Sequence, residues 1–243
     1  MRVASSLFGI LAMPQESGMN ALNNANIQNP ETSTGLTSFA FPEAKSSQTG
    51  VSVEYVPSPE KQWFVFRILY GHAQQVSDLL VEEKVYTYLA MIWKNRYKDG
   101  KRRRVLVPFL NLLFAYVSRE QAEEYVHNHP ASRYITYYYN HFQTNEFGMN
   151  PPVTVAERDM VPLIRATALH NEHVREVDMQ KCRFVSGDLV RVTSGPFEGI
   201  TGRVARINRQ NRVVFYIEGL QTGLATAYIP AHCLEKVEAA AQK

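Results

Sequence analysis

The chain has 243 residues, 45% of them hydrophobic, and its 26 Lys and Arg against 23 Asp and Glu leave a net charge of +3. That apolar share is ample for one or two compact cores, and so modest a charge makes no case for nucleic acid on its own. No stretch approaches the ~20 apolar residues of a membrane span. The opening Leu7, Phe8, Ile10, Leu11 and Met13 is diluted by Ser5, Ser6 and Gly9 and follows a single basic residue, so it does not read as a signal peptide. Cys182 and Cys233 lack metal-ligand spacing and fit a reducing compartment. The protein is expected in the cytoplasm, away from membranes.

From Pro14 to about Pro59 the sequence is crowded with Asn, Ser, Thr, Gln, Gly and Pro and has no sustained apolar period, which predicts a disordered arm. Phe39, Phe41, Val51, Val53 and Tyr55 offer the alternative of an edge strand or a docked segment. Trp63-Phe64-Val65-Phe66-Arg67-Ile68 reads as a buried strand that Gly71 ends. Ala73, Val76, Leu79 and Leu80 then recur at helical spacing. Residues 85–93 suit a second strand, Asp99-Gly100 marks a hairpin tip, and the return begins at Val105. Leu112 to Val117 form another strand, and Ser118 with Gln121 makes a capping box for a helix through about Asn128, stopped by Pro130. Residues 134–139 supply a further strand. Pro151-Pro152 breaks the chain before a last helix ending near His170; Thr154 with Glu157 caps it at one start, but Pro162 would then be interior, so a start nearer Asp159 stays open. Strands that outnumber and interleave with helices in this order imply an antiparallel sheet with helices packed on it, an α+β sandwich.

Residues 187–237 read as one small barrel. Leu189, Val190 and Val192 form a short strand, and Gly195-Pro196 turns the chain. Gly199 and Gly202 open a second strand through Ile207, and a polar turn, Arg209-Gln210-Asn211, follows. Residues 212–218, 225–229 and 234–237 supply three more strands. Five short strands punctuated by Gly need closure to hide their edges, which favours a partly open barrel of the SH3-like type.

Reactive groups do not form a catalytic pattern. His170 and His173 lie one helical turn apart without a third ligand set by the sequence, no Gly-rich phosphate loop is present, and no nucleophile elbow occurs, so neither an enzyme, a metal site nor a cofactor is expected. The basic residues do cluster: Lys94, Arg96, Lys98, Lys101, Arg102, Arg103 and Arg104 surround Asp99-Gly100. A hairpin tip so charged attracts phosphates without reading sequence.

The stretch from Gly187 through Gly195-Pro196-Phe197-Glu198-Gly199 to Leu234-Glu235-Lys236-Val237 resembles the KOW domain that ends NusG-type transcription factors. Upstream, Trp63-Phe64, the following helix, the basic hairpin and Val107-Pro108-Phe109-Leu110-Asn111-Leu112-Leu113-Phe114 resemble the NusG N-terminal (NGN) domain, with Leu110, Asn111 and Leu112 standing where the family's motif has Pro, Gly and Tyr. Asn111 and the Asn-Leu-Leu-Phe run are similar to the specialised RfaH-like and UpxY-like antiterminators. The resemblance covers Lys61 to Val237. It implies an NGN domain over 61–172, a linker over 173–183, a KOW domain over 184–238 and a tail over 239–243, after an arm over 1–60.

The same resemblance implies a monomeric, operon-specific elongation or antitermination factor, with a housekeeping NusG-like factor or a ribosome- or RNA-binding KOW protein as alternatives. Phe109, Leu110, Asn111 and Leu112 would meet the clamp of RNA polymerase. Arg67, His72 and Gln75, with Lys101, Arg102, Arg103 and Arg104, would meet non-template DNA or nascent RNA. Phe197, Leu220 and Gln221 would bind a small-subunit ribosomal protein or the termination factor Rho.

Overall fold

The structure, a computed structural model, describes residues 39–168, 170, 172–178, 184–207, 209–217, 219–220 and 222–237, with the backbone alone described at 98, 184–188 and 227. In chain order the first region comprises β1 (Ala44–Lys45), β2 (Ser52–Val53), β3 (Gln62–Ile68), α1 (Ala73–Glu82), β4 (Tyr86–Tyr88), β5 (Met91–Lys98), β6 (Lys101–Pro108), β7 (Leu112–Val117), α2 (Arg119–His127), β8 (Ile135–Tyr137), β9 (Thr154–Val155) and α3 (Glu157–Ala168). Its main sheet runs β4-β7-β3-β8, with β9 also on β3, and every pairing is antiparallel.

Residues 63–66 are apolar without alternation because both faces of this sheet are covered. Side chains of a strand point to opposite faces in turn. Trp63 and Val65 join Leu112, Phe114 and Tyr116 on one face, while Phe64, Phe66 and Ile68 join Leu113, Ala115 and Val117 on the other. The second face is roofed by Ala73, Val76 and Leu80 of α1 and by Ala122 and Tyr125 of α2. Ser118 and Gln121 close the capping box at the start of α2 in both directions, at 3.2 and 3.1 Å. The first face carries Met160, Leu163 and Ile164 of α3. This helix starts at Glu157, so Pro162 is indeed interior; it is buried, and the missing N–H is tolerated where the helix packs on the sheet.

The first face has a second cover that corrects the expected arm. Residues 39–60 are folded. Tyr55 stacks on Trp63 with ring centroids 5.7 Å apart, and Phe41 lies 4.2 Å from Tyr55. Tyr86 donates to the Pro42 carbonyl, and Tyr116 both donates to the Ser58 carbonyl and accepts from the Ser58 N–H, each at 2.9 Å. Buried Asp78 of α1 accepts from the Ser47 N–H at 2.8 Å and from Gln74 at 2.9 Å, pinning the β1–β2 turn to the helix. Burial, then the Tyr88 charge, raises the Tyr86 phenol; burial drives Tyr88 itself up to about 12. Residues 1–38 lie outside the described residues.

The second region comprises β10 (Arg175–Asp178), β11 (Phe184–Val192), β12 (Thr201–Ile207), β13 (Gln210–Phe215), β14 (Thr222–Tyr228) and β15 (Leu234–Lys236), paired antiparallel in the order β10-β14-β13-β12-β11-β15. The five strands read from the sequence are therefore joined by a sixth. β10 falls within the expected linker and pairs along β14 from Arg175↔Ala225 to Asp178↔Thr222. Val190, Val192, Ile200, Val213, Phe215, Ile217, Leu224 and Ile229 fill one apolar cluster. Gly202 of β12 runs so close to β13 that a Cβ there would lie 2.8 Å from the Val213 methyl.

Candidate nucleic-acid and protein interfaces

β5 and β6 form a two-stranded sheet of their own. Register from Met91↔Pro108 to Lys98↔Lys101 leaves a two-residue turn, with Asp99 at φ +52° and Gly100 at φ +69°. Both residues of that turn are left-handed, which Asp-Gly accommodates at least strain. The basic residues 101–104 lie within β6, not in a loop as the expected return at Val105 implied. Opposed residues of antiparallel strands share a face. Arg96 is therefore directly across from Arg103 on one face, and Tyr97 across from Arg102 on the other.

The base of this hairpin is fixed. Trp93 Nε1 donates to the His170 carbonyl at 2.6 Å, Lys94 pairs with Glu176 at 2.7 Å, and Arg104 pairs with Glu172. Arg104, opposite Asn95 midway along the hairpin, thus has a carboxylate partner in Glu172. Among the described residues no carboxylate pairs with Arg96, Lys101, Arg102 or Arg103, all exposed. Tyr97, 77% exposed beside these cations, was missed by the sequence reading, although its place between Arg96 and Lys98 was the available signal.

The second expected patch surrounds the turn from β3 to α1. Arg67 and Gln75 are exposed, and His72 is the residue before α1. His72 packs on Tyr134 with ring centroids 4.3 Å apart, and the Arg133 guanidinium lies over the same ring at 4.9 Å. Tyr70, 82% exposed at φ +54°, stands in this turn. The structure thus surrounds His72 with aromatic and basic groups that the sequence reading did not include.

Residues 109–112 are not the open apolar patch the resemblance implies. Phe109 and Leu112 are buried, Leu110 is half-buried, and Asn111 is exposed. Leu110 at φ +52° and Asn111 at φ +55° both adopt the left-handed conformation. Asn tolerates it; a non-Gly apolar residue does so at a cost of ~1–2 kcal/mol. Phe109 lines a narrow cleft with Leu163 of α3 and Phe215, Ile217, Leu220 and Leu224 of the second region.

The expected partner face of the barrel is covered in the same way. Phe197 and Leu220 are buried, while Gln221 lies outside the described residues. Arg165 of α3 donates to the Glu198 carbonyl at 3.1 Å and occupies the space where a Cβ on Gly199 would sit. Gly219 faces Val153 and Asn140 of the first region. Phe109 and Leu220, predicted to bind different partners, therefore line one shared cleft.

Among the described residues no cluster of three metal-ligating side chains occurs, and no helix is long and apolar enough to cross a membrane. No curated protein matches the chain. Residues 186–218, from β11 to just past β13, match the KOW motif, which fits an SH3-like barrel and is consistent with a NusG/KOW-type protein. The chain thus carries a KOW motif, the mark of proteins associated with RNA, translation or transcription.

Proposed function

We propose that this chain is a non-catalytic transcription factor of the NusG type, with an NGN-like first region that grips RNA polymerase and nucleic acid and a KOW barrel that recruits a partner. The observation that carries the reading is the β5–β6 hairpin. Among the described residues, four exposed cations without a carboxylate partner stand on it, with Arg96 facing Arg103. Like charges directly opposed destabilise a strand pair in the free protein. A polyanion laid along the hairpin removes that repulsion and releases counterions, giving salt-dependent attraction indifferent to sequence.

Leu110 and Asn111 support the polymerase contact. Strained residues persist where the surroundings over-determine them, and they cluster at functional sites. Phe109 joins the contact only after the barrel leaves it, and the same separation opens the Phe197 and Leu220 end of the barrel to a ribosomal protein or Rho. In this reading the protein works as a monomer in the cytoplasm, suppressing pausing or termination on particular operons.

The test is capture of the full-length protein by immobilised RNA polymerase. Leu110→Asp, with its melting temperature unchanged, is expected to abolish capture. Capture by Leu110→Asp equal to that of the parent removes the polymerase contact. The KOW match itself supports a second reading, a ribosome- or RNA-binding protein, which co-sedimentation with ribosomes in the absence of polymerase would favour.

A further inference from the structure

The barrel carries a second basic feature at the far end of β12 and β13. The register Ile207↔Gln210 leaves a two-residue connection in which Arg209 sits at φ +64°. Gly, Asn or Asp would hold that conformation with less strain. A long cation is retained there instead, and strain kept at an exposed position points to a role for the side chain.

The surroundings say what role. Arg206, Arg209, Gln210, Asn211 and Tyr228 line one surface depression. Arg206 opposes Asn211 across the strand pair, and Tyr228, 54% exposed, opposes Arg212. Neither Arg206 nor Arg209 pairs with a carboxylate among the described residues.

Arg212 adds a third guanidinium beneath this surface. It is buried and donates to the Thr226 carbonyl at 2.8 Å and to Gln210 Oε1 at 3.0 Å, while its Nε has no partner. Burial, then the like charge of Arg175, lowers its pKa. Its hold on the Gln210 oxygen leaves the Gln210 amide NH2 available to a ligand.

Exposed guanidinium groups suit phosphates, an exposed ring suits the face of an unpaired base, and side-chain amides suit base edges. We propose that this depression is a single-stranded nucleic-acid site, with Arg206 and Arg209 on phosphates and Tyr228 stacked on a base. The inference extends the nucleic-acid reading to the barrel and needs neither polymerase nor the β5–β6 hairpin.

The experiment is fluorescence anisotropy of the full-length protein carrying Arg96→Ser, Lys101→Ser, Arg102→Ser and Arg103→Ser, so that the β5–β6 hairpin contributes little. The probes are oligouridine and oligothymidine of about twelve nucleotides, within the usual site size, and a duplex of equal length. Both single strands are expected to bind more tightly than the duplex, and the tighter of the two identifies the sugar preferred. Arg206→Ser with Arg209→Ser is expected to weaken binding about tenfold and to flatten its salt dependence. Tyr228→Ala is expected to weaken it by a similar factor while Tyr228→Phe retains it.

Arg209→Gly separates binding from folding: it is expected to raise the melting temperature while lowering affinity. Undiminished affinity in these variants, or a duplex that binds as well as the single strands, overturns the proposal. Because polymerase is absent from the assay, failure here is distinguishable from failure of the polymerase contact.

Discussion

The hairpins β5–β6 and β12–β13 each reverse direction in two residues and each offer arginines to solvent, yet they meet the same backbone demand by different means. The first puts Asp99 and Gly100 into the left-handed turn and carries its charge on the flanking strands. The second holds Arg209 itself in the left-handed conformation and carries charge at the tip. Where the turn is relaxed, the strain is electrostatic, between Arg96 and Arg103; where the charges are spread, the strain is in the backbone. In both hairpins an unfavourable local arrangement coincides with an exposed cation, which is the pattern that the proposed polyanion contacts would exploit.

Packing separates the hairpins most sharply. Gly202 lies on the β12 arm against Val213 and Val214 of β13, with no space for a methyl group, whereas an added Cβ at Gly100 meets nothing within 4 Å. Gly202→Ala is expected to cost about 3 kcal/mol through overpacking and to lower the melting temperature of the barrel. An unchanged melting temperature would show the strands free to part at this point. Gly100→Val leaves packing untouched and acts only through φ, costing about 1–2 kcal/mol. Because the loss is local, hydrogen exchange at Arg96 and Arg103 should quicken while the core amides stay protected; uniform quickening would mean that this hairpin is part of the global fold.

The contrast also shows which features the sequence discloses. Asp99-Gly100 announced its turn because left-handed geometry selects those residue types. Arg209 carries no such signature, and the turn was placed over Arg209-Gln210-Asn211, although Gln210 and Asn211 belong to β13. Strand β6 was expected only from Val105 because Lys and Arg have weak strand preference, but a fixed turn sets the register and backbone pairing then carries the charged residues along.

Long-range cover was harder still to read. Phe109 looks like a surface anchor locally, and the approach of the barrel to α3 covers it in a shared cleft. Phe41 and Tyr55 have no period of their own, since what orders them is Trp63 and Tyr86 elsewhere in the chain. β10 has one apolar residue in four, which is enough for an edge strand and too little to stand out from a linker.

The smallest expected effect tests the electrostatic half of the comparison most directly. Arg96 and Arg103 occupy directly opposed positions on one face of β5–β6, and neither pairs with a carboxylate among the described residues. Arg96→Glu turns that repulsion into attraction, a change of about 0.5–1 kcal/mol in favour of the free hairpin. Exchange at Arg96 and Arg103 should therefore slow at low salt. The gain should fade as salt shortens the Debye length to ~3 Å near 1 M. Affinity for nucleic acid should move the opposite way, falling with a shallower salt slope because fewer counterions are released. A variant that becomes more stable and binds less well identifies the opposed arginines as a binding device maintained against the stability of the fold. One that becomes more stable with affinity unchanged leaves them as a solvated face and takes away the main support for nucleic-acid binding by the first region.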